Sequence, residues 1–349
     1  MESGFQLFNQ STQLDYLKLL SDSELELDIY YYPCFLSIDA KIQGGDFEIF
    51  VYKEHNELFI YPYIKLPFEE EKFKEYFDLS SPYGYCGPYC TSDSIFQEAE
   101  IAFIDYIKNN CVTEFVRYHY LYNEQQKFAQ QIQNLQNRTV VTLNTTIDWD
   151  TIWTKEFSST NRNLIRKLEK EGYVFVLTNE KEDLLGFTDM YYSTMKNACA
   201  SDFYFFDKDL INRLYTDLGE KIFLVKVEKE NVVYSYSLFF ISGGIGTYYL
   251  SARNVDYPKV PATNYLLSKA AELVKEKGAT ILNFGGGLTN EQDDYLFKFK
   301  RNFSKETKEF FIGKRIHNNE IYNQIKEDWI EKYGTEKYST VKHILQFYR

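Results

Sequence analysis

The sequence has no apolar run of about 18 residues, so no segment reads as a membrane-spanning helix. Its first residues lack both a cationic start and an apolar stretch, so no secretory signal is read there. Cysteine is scarce. The five at Cys34, Cys86, Cys90, Cys111 and Cys199 are odd in number and form no dense framework. That argues against a disulfide scaffold and for a reduced, cytoplasmic setting. Cys86 and Cys90 have no second pair and no histidine nearby, so no metal site is expected. The four histidines, His55, His119, His317 and His343, are scattered, and their spacing suggests no Ser-His-Asp or Cys-His arrangement. No internal repeat and no low-complexity segment is found. Positive charge is in deficit. A net charge of −12 argues against a general affinity for DNA or anionic lipid.

What is present in excess is aromatic. The chain has 31 Tyr and 29 Phe, which suits broad, partly wet clefts, although an AT-rich genome explains the abundance equally well. At 349 residues with 44% hydrophobic content, the chain fits two domains of roughly 150 to 200 residues each. Charge reverses sign locally. Lys298 to Arg315 holds seven cations against two anions, and Lys155 to Lys170 holds five against two. Either patch fits an anionic small ligand such as a phosphate, or simply a solvated helix face.

In the first half, the patterning predicts helices over 11–20 and from Pro33 to Ile42, then a hairpin across His55-Asn56. A loop rich in Gly, Pro and Tyr follows Ser80. Helical spacing then covers 93–109, with strands at 115–122 and 138–143. The second half opens near Asp148. It reads as a cationic helix (160–171) closed by Gly172, a strand (173–177), helices over 181–198 and 207–217, and three strands at 221–227, 232–240 and 245–251. A long helix from Pro261 to Lys277 ends at Gly278. A strand (280–284), a helix near 291–300, a strand (307–313) and two last helices complete the chain. Mixed rather than alternating elements give an α/β, mixed α+β class. Arg162 and Arg166 lie four apart on one helix face, where they can grip phosphates or pair with carboxylates such as Glu169. Asp293-Asp294 are expected to cap or solvate the helix after the glycine turn.

Five segments in order carry a resemblance. They are Ser81-Pro82-Tyr83-Gly84-Tyr85-Cys86-Gly87-Pro88, the helix Ser159–Gly172, Pro261-Ala262-Thr263-Asn264-Tyr265-Leu266-Leu267, Asn283-Phe284-Gly285-Gly286-Gly287, and Phe299-Lys300-Arg301-Asn302-Phe303. Together they resemble the Fem-type peptidyltransferases and related GNAT acetyltransferases. The resemblance covers roughly residues 25 to 315.

It implies two tandem GNAT-like domains, over 1–147 and 148–349, each a mixed, mostly antiparallel sheet flanked by helices. The C-terminal helices, about 318–349, are expected to pack back on the first domain. It also implies an N-acyltransferase. The expected reaction moves an acyl group from acyl-CoA to the amine of an amino sugar, amino acid or peptide in envelope or surface-glycan synthesis. An aminoacyl-tRNA-dependent peptidyltransferase building peptidoglycan crossbridges is the alternative, with tRNA then a partner. A non-catalytic GNAT-like binding module is a third. No covalent enzyme intermediate and no permanently bound cofactor is implied. Lys300 matches the lysine of the family's Phe-Lys-x-x-Phe motif and is the expected catalytic residue, stabilising developing negative charge. The alternative for Lys300 is a surface lysine on an amphipathic helix. Expected substrate contacts are Tyr83, Gly84, Tyr85, Arg162, Arg166, Tyr204, Tyr249, Asn283, Gly285 and Gly286. Tyr204 belongs to the loop Ser201–Phe206, expected on the acceptor side.

Three departures stand out. Val255-Asp256-Tyr257-Pro258-Lys259-Val260-Pro261 replaces the glycine-rich turn that holds a pyrophosphate in CoA-binding GNAT domains. The long helical arm of some crossbridge enzymes is missing. Cys86 stands where the family loop has glycine.

Overall fold

A computed structural model describes residues 4–122, 132–201, 204–206, 208–289, 291 and 293–349. Along the chain run β1 (Gly4–Phe8), α1 (Gln13–Asp22), α2 (Pro33–Gln43), β2 (Asp46–Glu54), β3 (Glu57–Pro67), β4 (Phe77–Ser80), β5 (Tyr89–Cys90), α3 (Phe96–Ile107), β6 (Cys111–Arg117) and β7 (Gln133–Asn144). Next come α4 (Trp149–Thr151), which continues as a π-turn (Ile152–Glu156), then α5 (Ser159–Lys170), β8 (Val174–Thr178), α6 (Lys181–Asn197), α7 (Lys208–Asp217), β9 (Ile222–Lys229), β10 (Val232–Ser242) and β11 (Ile245–Arg253). Last are α8 (Ala262–Glu276), β12 (Ile281–Gly286), α9 (Tyr295–Lys300), β13 (Thr307–Ile316), α10 (Asn319–Tyr333) and α11 (Thr335–Val341). No helix among the described residues is long and apolar enough to cross a membrane.

The chain divides into two compact units. One spans Met1–Glu24, Tyr30–Asn137 and Phe310–Arg349; the other spans Leu25–Ile29 and Arg138–Glu309. The expected boundary between 147 and 148 falls inside the second unit, between β7 and α4. The last helices, α10 and α11, belong to the first unit.

The first unit's strands are ordered β1-β2-β3-β4-β6-β13, with β5 on β3. All its neighbours are antiparallel except β4 and β6, which run parallel and are joined through α3. Its core includes Phe50, Phe59, Tyr61, Phe103 and Tyr118. Within it a charged group is buried and internally paired. Arg315 Nη2 donates to Glu100 Oε1 at 2.7 Å, Tyr61 Oη donates to Glu114 Oε1 at 2.7 Å, and His317 Nε2 lies 2.9 Å from Glu114 Oε2. Burial pushes the Glu114 carboxyl up, but the His317 hydrogen bond and the Arg315 charge outweigh it and hold the group below its ordinary value.

The second unit's order is β7-β12-β11-β10-β9-β8. Again all neighbours are antiparallel except one pair, β11 and β12, joined through α8. In α8, Ala262, Leu266, Ala270 and Val274 recur every four residues, forming one buried stripe. That stripe meets Ile165 and Leu168 of α5 and the inward side chains Val141, Leu143, Leu282 and Phe284 of β7 and β12. The α5 helix starts where Ser158 Oγ accepts the Asn161 N–H.

Candidate active site

The parallel pair of the second unit is short. Its register runs Ile245↔Ile281, Gly246↔Leu282 and Thr247↔Asn283, and then stops. Past that point β11 stays paired with β10 as far as Arg253, while β12 stays paired with β7 as far as Gly286. Each strand follows its other neighbour, so the two part and the sheet forks. A bulge sits on each side of the parting. On β11, Leu238 faces Leu250 and Phe239 faces Tyr248, leaving Tyr249 as the extra residue. On β12, Asn283 faces Thr142 and Gly285 faces Val141, leaving Phe284 extra. Bulges bend and twist the strands that carry them. The second bulge needs its glycine: Gly285 has φ +78°, and Asn283 Oδ1 accepts the Gly285 N–H at 2.7 Å to hold the kink.

Beyond the kink, the glycine turn is held on both its acceptors and its donors. Lys300, at the end of α9, donates from Nζ to Gly286 O at 2.7 Å. Arg138 on β7 donates from Nη1 to Gly287 O at 3.0 Å. Asp294 Oδ2 accepts from Leu288 N at 2.8 Å and Thr289 N at 2.9 Å, while its Oδ1 caps α9 by accepting from Phe297 N at 2.8 Å. Burial pushes the Asp294 carboxyl up, yet the N–H groups of Phe297, Thr289 and Leu288 outweigh it and hold the group below its ordinary value. Asp293 is paired with Lys298 at 2.7 Å. The expected helix near 291–300 is therefore shorter at its start, because Asp294 takes the cap position.

Lys300 is buried, with 8% of its surface exposed, and it ends on a neutral carbonyl rather than a carboxylate. Burial pulls its amine down to about 7; the Asp294 charge opposes the shift and the Arg138 charge adds to it. A buried amine titrating near neutrality can exist in either form at working pH, which is what proton transfer demands. The alternative of a surface lysine does not describe it.

At the closed base of the fork three polar side chains share one register row. Thr142 faces Asn283 across β7 and β12, and Thr247 faces Asn283 across β11 and β12. Thr142 Oγ1, Asn283 Nδ2 and Thr247 Oγ1 are buried without a hydrogen-bond partner among the described residues. Such groups fit ordered water or a polar substrate group.

The other expected contacts sort differently. Asn283, Gly285, Gly286 and Lys300 come together at the fork, and Tyr249 sits on its β11 side, its ring 4.3 Å from that of Phe240. Arg162 does not present its Nη1 to a ligand. That atom donates to the carbonyls of Trp153 and Thr154, each at 3.2 Å, and of Phe157, closing the π-turn. Arg166 is exposed, its guanidinium 5.5 Å from the Trp153 ring centre. Tyr204 lies between α6 and α7, and its carbonyl accepts from Tyr191 Oη at 3.0 Å; its loop neighbours Asp202 and Phe203 lie outside the described residues. Tyr83, Gly84 and Tyr85 belong to the first unit. There Asp39 Oδ2 accepts the Tyr83 N–H at 3.0 Å, Tyr85 packs edge-on to Tyr120 and Phe310, and a Cβ on Gly84 would collide with the Tyr30 ring. The residues the sequence did not single out are Arg138, Thr142 and Thr247. Only pairing across strands gives them a place in the site.

Residues 155–301 match the acetyltransferase (GNAT) domain family. The matched residues all lie in the second unit. Its fork, its bulged strands and its crossover helix α8 all lie within that matched span. Among solved structures, that of FemX matches with a TM-score of 0.71 at 14% identity, over 93% of this chain and all of that one (100%). The C-terminal domain of a putative lysylphosphatidylglycerol synthetase from Agrobacterium fabrum matches with a TM-score of 0.54 at 11% identity, over 86% of this chain and 93% of that one. L-PGS from Bacillus licheniformis matches at 0.51 with 14% identity, over 75% and 84% of the two chains. At these identities the likeness is one of fold. No curated protein matches the chain.

The loop before α8 bears on the GNAT domain's donor. It closes on itself: Tyr257 N donates to Asn254 O, Val260 N to Tyr257 O and Asp256 N to the Asn254 side chain. Pro258 and Pro261 have no N–H to offer. These turns occupy the N–H groups of Asp256, Tyr257 and Val260, which are then not available to a diphosphate. Among the described residues no cluster of His, Cys, Asp or Glu could hold a metal ion.

Proposed function

We propose that the chain is an N-acyltransferase in which Lys300 serves the reacting centre at the mouth of the β11–β12 fork. The observation that carries this reading is the buried Lys300 amine, set on the Gly286 carbonyl at the end of the kinked strand and pulled down to about 7. The acceptor amine attacks the activated carbonyl carbon, a C–N bond forms, and the carbonyl π pair moves to oxygen. The proton lost by the attacking amine passes to the neutral Lys300 Nζ. The resulting ammonium stands beside the developing oxyanion, whose charge favours that protonated form. The interaction is therefore strongest in the transition state. As the carbonyl re-forms, the bond to the carrier breaks and the leaving sulfur or oxygen takes the proton.

The donor best supported is an aminoacyl ester carried on tRNA. The loop before α8 uses the N–H groups of Asp256, Tyr257 and Val260 in its own turns, and one of the structures alike in fold is named as a putative lysylphosphatidylglycerol synthetase, a name that carries an aminoacyl group. The acceptor class is then an amine on an amino sugar or peptide of the cell envelope. Acyl-CoA is the second reading, favoured by the acetyltransferase family match. Parallel titration of the protein with acetyl-CoA by calorimetry and with aminoacyl-tRNA by filter binding separates the two. Saturable binding of aminoacyl-tRNA alone supports the first reading. Saturable one-to-one binding of acetyl-CoA replaces it with the second. Binding of neither, with no transfer to any amine tested, overturns the enzymatic reading in favour of a binding module.

A further inference from the structure

Two cations converge on adjacent carbonyls of one turn. Lys300 reaches Gly286 O from α9, and Arg138 reaches Gly287 O from β7, the strand paired with β12. The two carbonyls belong to consecutive residues, so fixing one restricts the other. The N–H groups of Leu288 and Thr289 on the same turn are fixed by Asp294. A neutral donor such as glutamine can satisfy a carbonyl equally well, so the guanidinium's charge is more than the bond requires.

We infer that Arg138 is a positioning residue for Lys300, holding the turn that receives the lysine amine and placing a fixed positive charge against it. The inference rests on the reading of Lys300 as the group that serves the reacting centre. Two charged groups act on the amine: Asp294 from the head of α9, which favours the ammonium, and Arg138 from β7, which disfavours it. The Asp294 carboxylate is already engaged by backbone N–H groups and by Thr289 Oγ1. Arg138 thus works in the same direction as burial, toward a neutral amine able to accept a proton.

The test is trace acetylation of Lys300 by acetic anhydride across pH, read by mass spectrometry, which needs no knowledge of the substrate. The wild-type midpoint is expected near 7. In Arg138→Gln the midpoint is expected to rise with the circular dichroism unchanged, and turnover at neutral pH to fall about tenfold in kcat with KM little altered. Arg138→Lys, which keeps the charge on a shorter reach, is expected to hold the midpoint and lose about threefold in kcat. An unmoved midpoint in a folded Arg138→Gln overturns the inference. If Arg138→Gln does not fold, Arg138→Lys decides: a held midpoint with lowered kcat supports the inference, and wild-type values of both overturn it. The parent reading fails separately, if Lys300→Met retains full turnover; the labelling midpoint reports on Arg138 in either case.

Discussion

Each unit contains one parallel strand pair joined by a crossover helix, and the two pairs end differently. In the first unit, β4 gives way to the loop 81–88, which keeps bonding along β6. Ser81 N donates to Phe115 O at 2.8 Å, Arg117 N to Ser81 Oγ at 2.9 Å, and Cys86 N to Arg117 O at 3.0 Å. The seam is sewn shut. In the second unit, β11 and β12 part after Thr247 and Asn283 with a bulge on either side. Buried charge follows the same division. Arg315 of the first unit is ion-paired with Glu100 and lies 3.7 Å from Glu114, which His317 also meets, whereas among the described residues Lys300 of the second bonds to a carbonyl. Paired buried charge holds a fold together; a buried amine without a bonded carboxylate is poised to change its protonation.

The strongest way to break this contrast is to unpair the first unit. Arg315→Met leaves Glu100 and Glu114 buried without their cation and is expected to destabilise the protein by about 3–5 kcal/mol in urea unfolding. If it is neutral, the group is not a structural one. Next comes Lys300→Ala, expected to keep the fold by circular dichroism while turnover drops about 10² to 10³-fold. A variant with wild-type turnover removes Lys300 from the chemistry.

The pH dependence of stability sharpens the same point. The native amine sits at about 7 against an ordinary 10.5, so the unfolded chain binds the extra proton between those values. Stability therefore rises with pH across that window, and the penalty of a buried ammonium, on the order of a few kcal/mol, is fully present below it. Lys300→Met should flatten this rise in denaturant curves taken from pH 7 to 10. A slope shared by wild type and variant would assign it to other groups.

The smallest effects compare two hydroxyls. Ser81→Ala removes a bonded hydroxyl from the closed seam and should cost about 1 kcal/mol without touching turnover. Thr247→Val removes an unbonded hydroxyl from the open one and should be neutral or stabilising by up to about 1 kcal/mol. If Thr247→Val also lowers kcat/KM, the polar row at the fork faces the substrate.

Much of the second unit was legible because its elements obey simple periods. Pro261 at the first turn and Gly278 at the end place its long helix almost to the residue: expected from Pro261 to Lys277, it runs from Ala262 to Glu276. Three short strands of the first unit, β1, β4 and β5, were not foreseen. Strand β4 is only Phe77-Asp78-Leu79-Ser80, and its aspartate resembles a turn residue until Thr113, Tyr348 and Arg349 are seen to satisfy the buried carboxylate. Strand β6 was expected over 115–122 but runs from Cys111 to Arg117, because its start pairs with that unforeseen neighbour. Arg162 illustrates the limit for the site. Its helix face was readable, but not that three backbone carbonyls would occupy its Nη1.

The sequence by itself determined the element order of the second unit, the glycine turn after Asn283 and the presence of a lysine at position 300, since periodicity, turn chemistry and motif spacing are local properties of the chain. Tertiary structure decided which parallel pair is sewn and which is forked, and that Arg138 and Lys300 share one turn. Those outcomes depend on hydrogen-bond partners as far as 149 residues away, and on a burial that turns an ordinary lysine into a group titrating near neutrality.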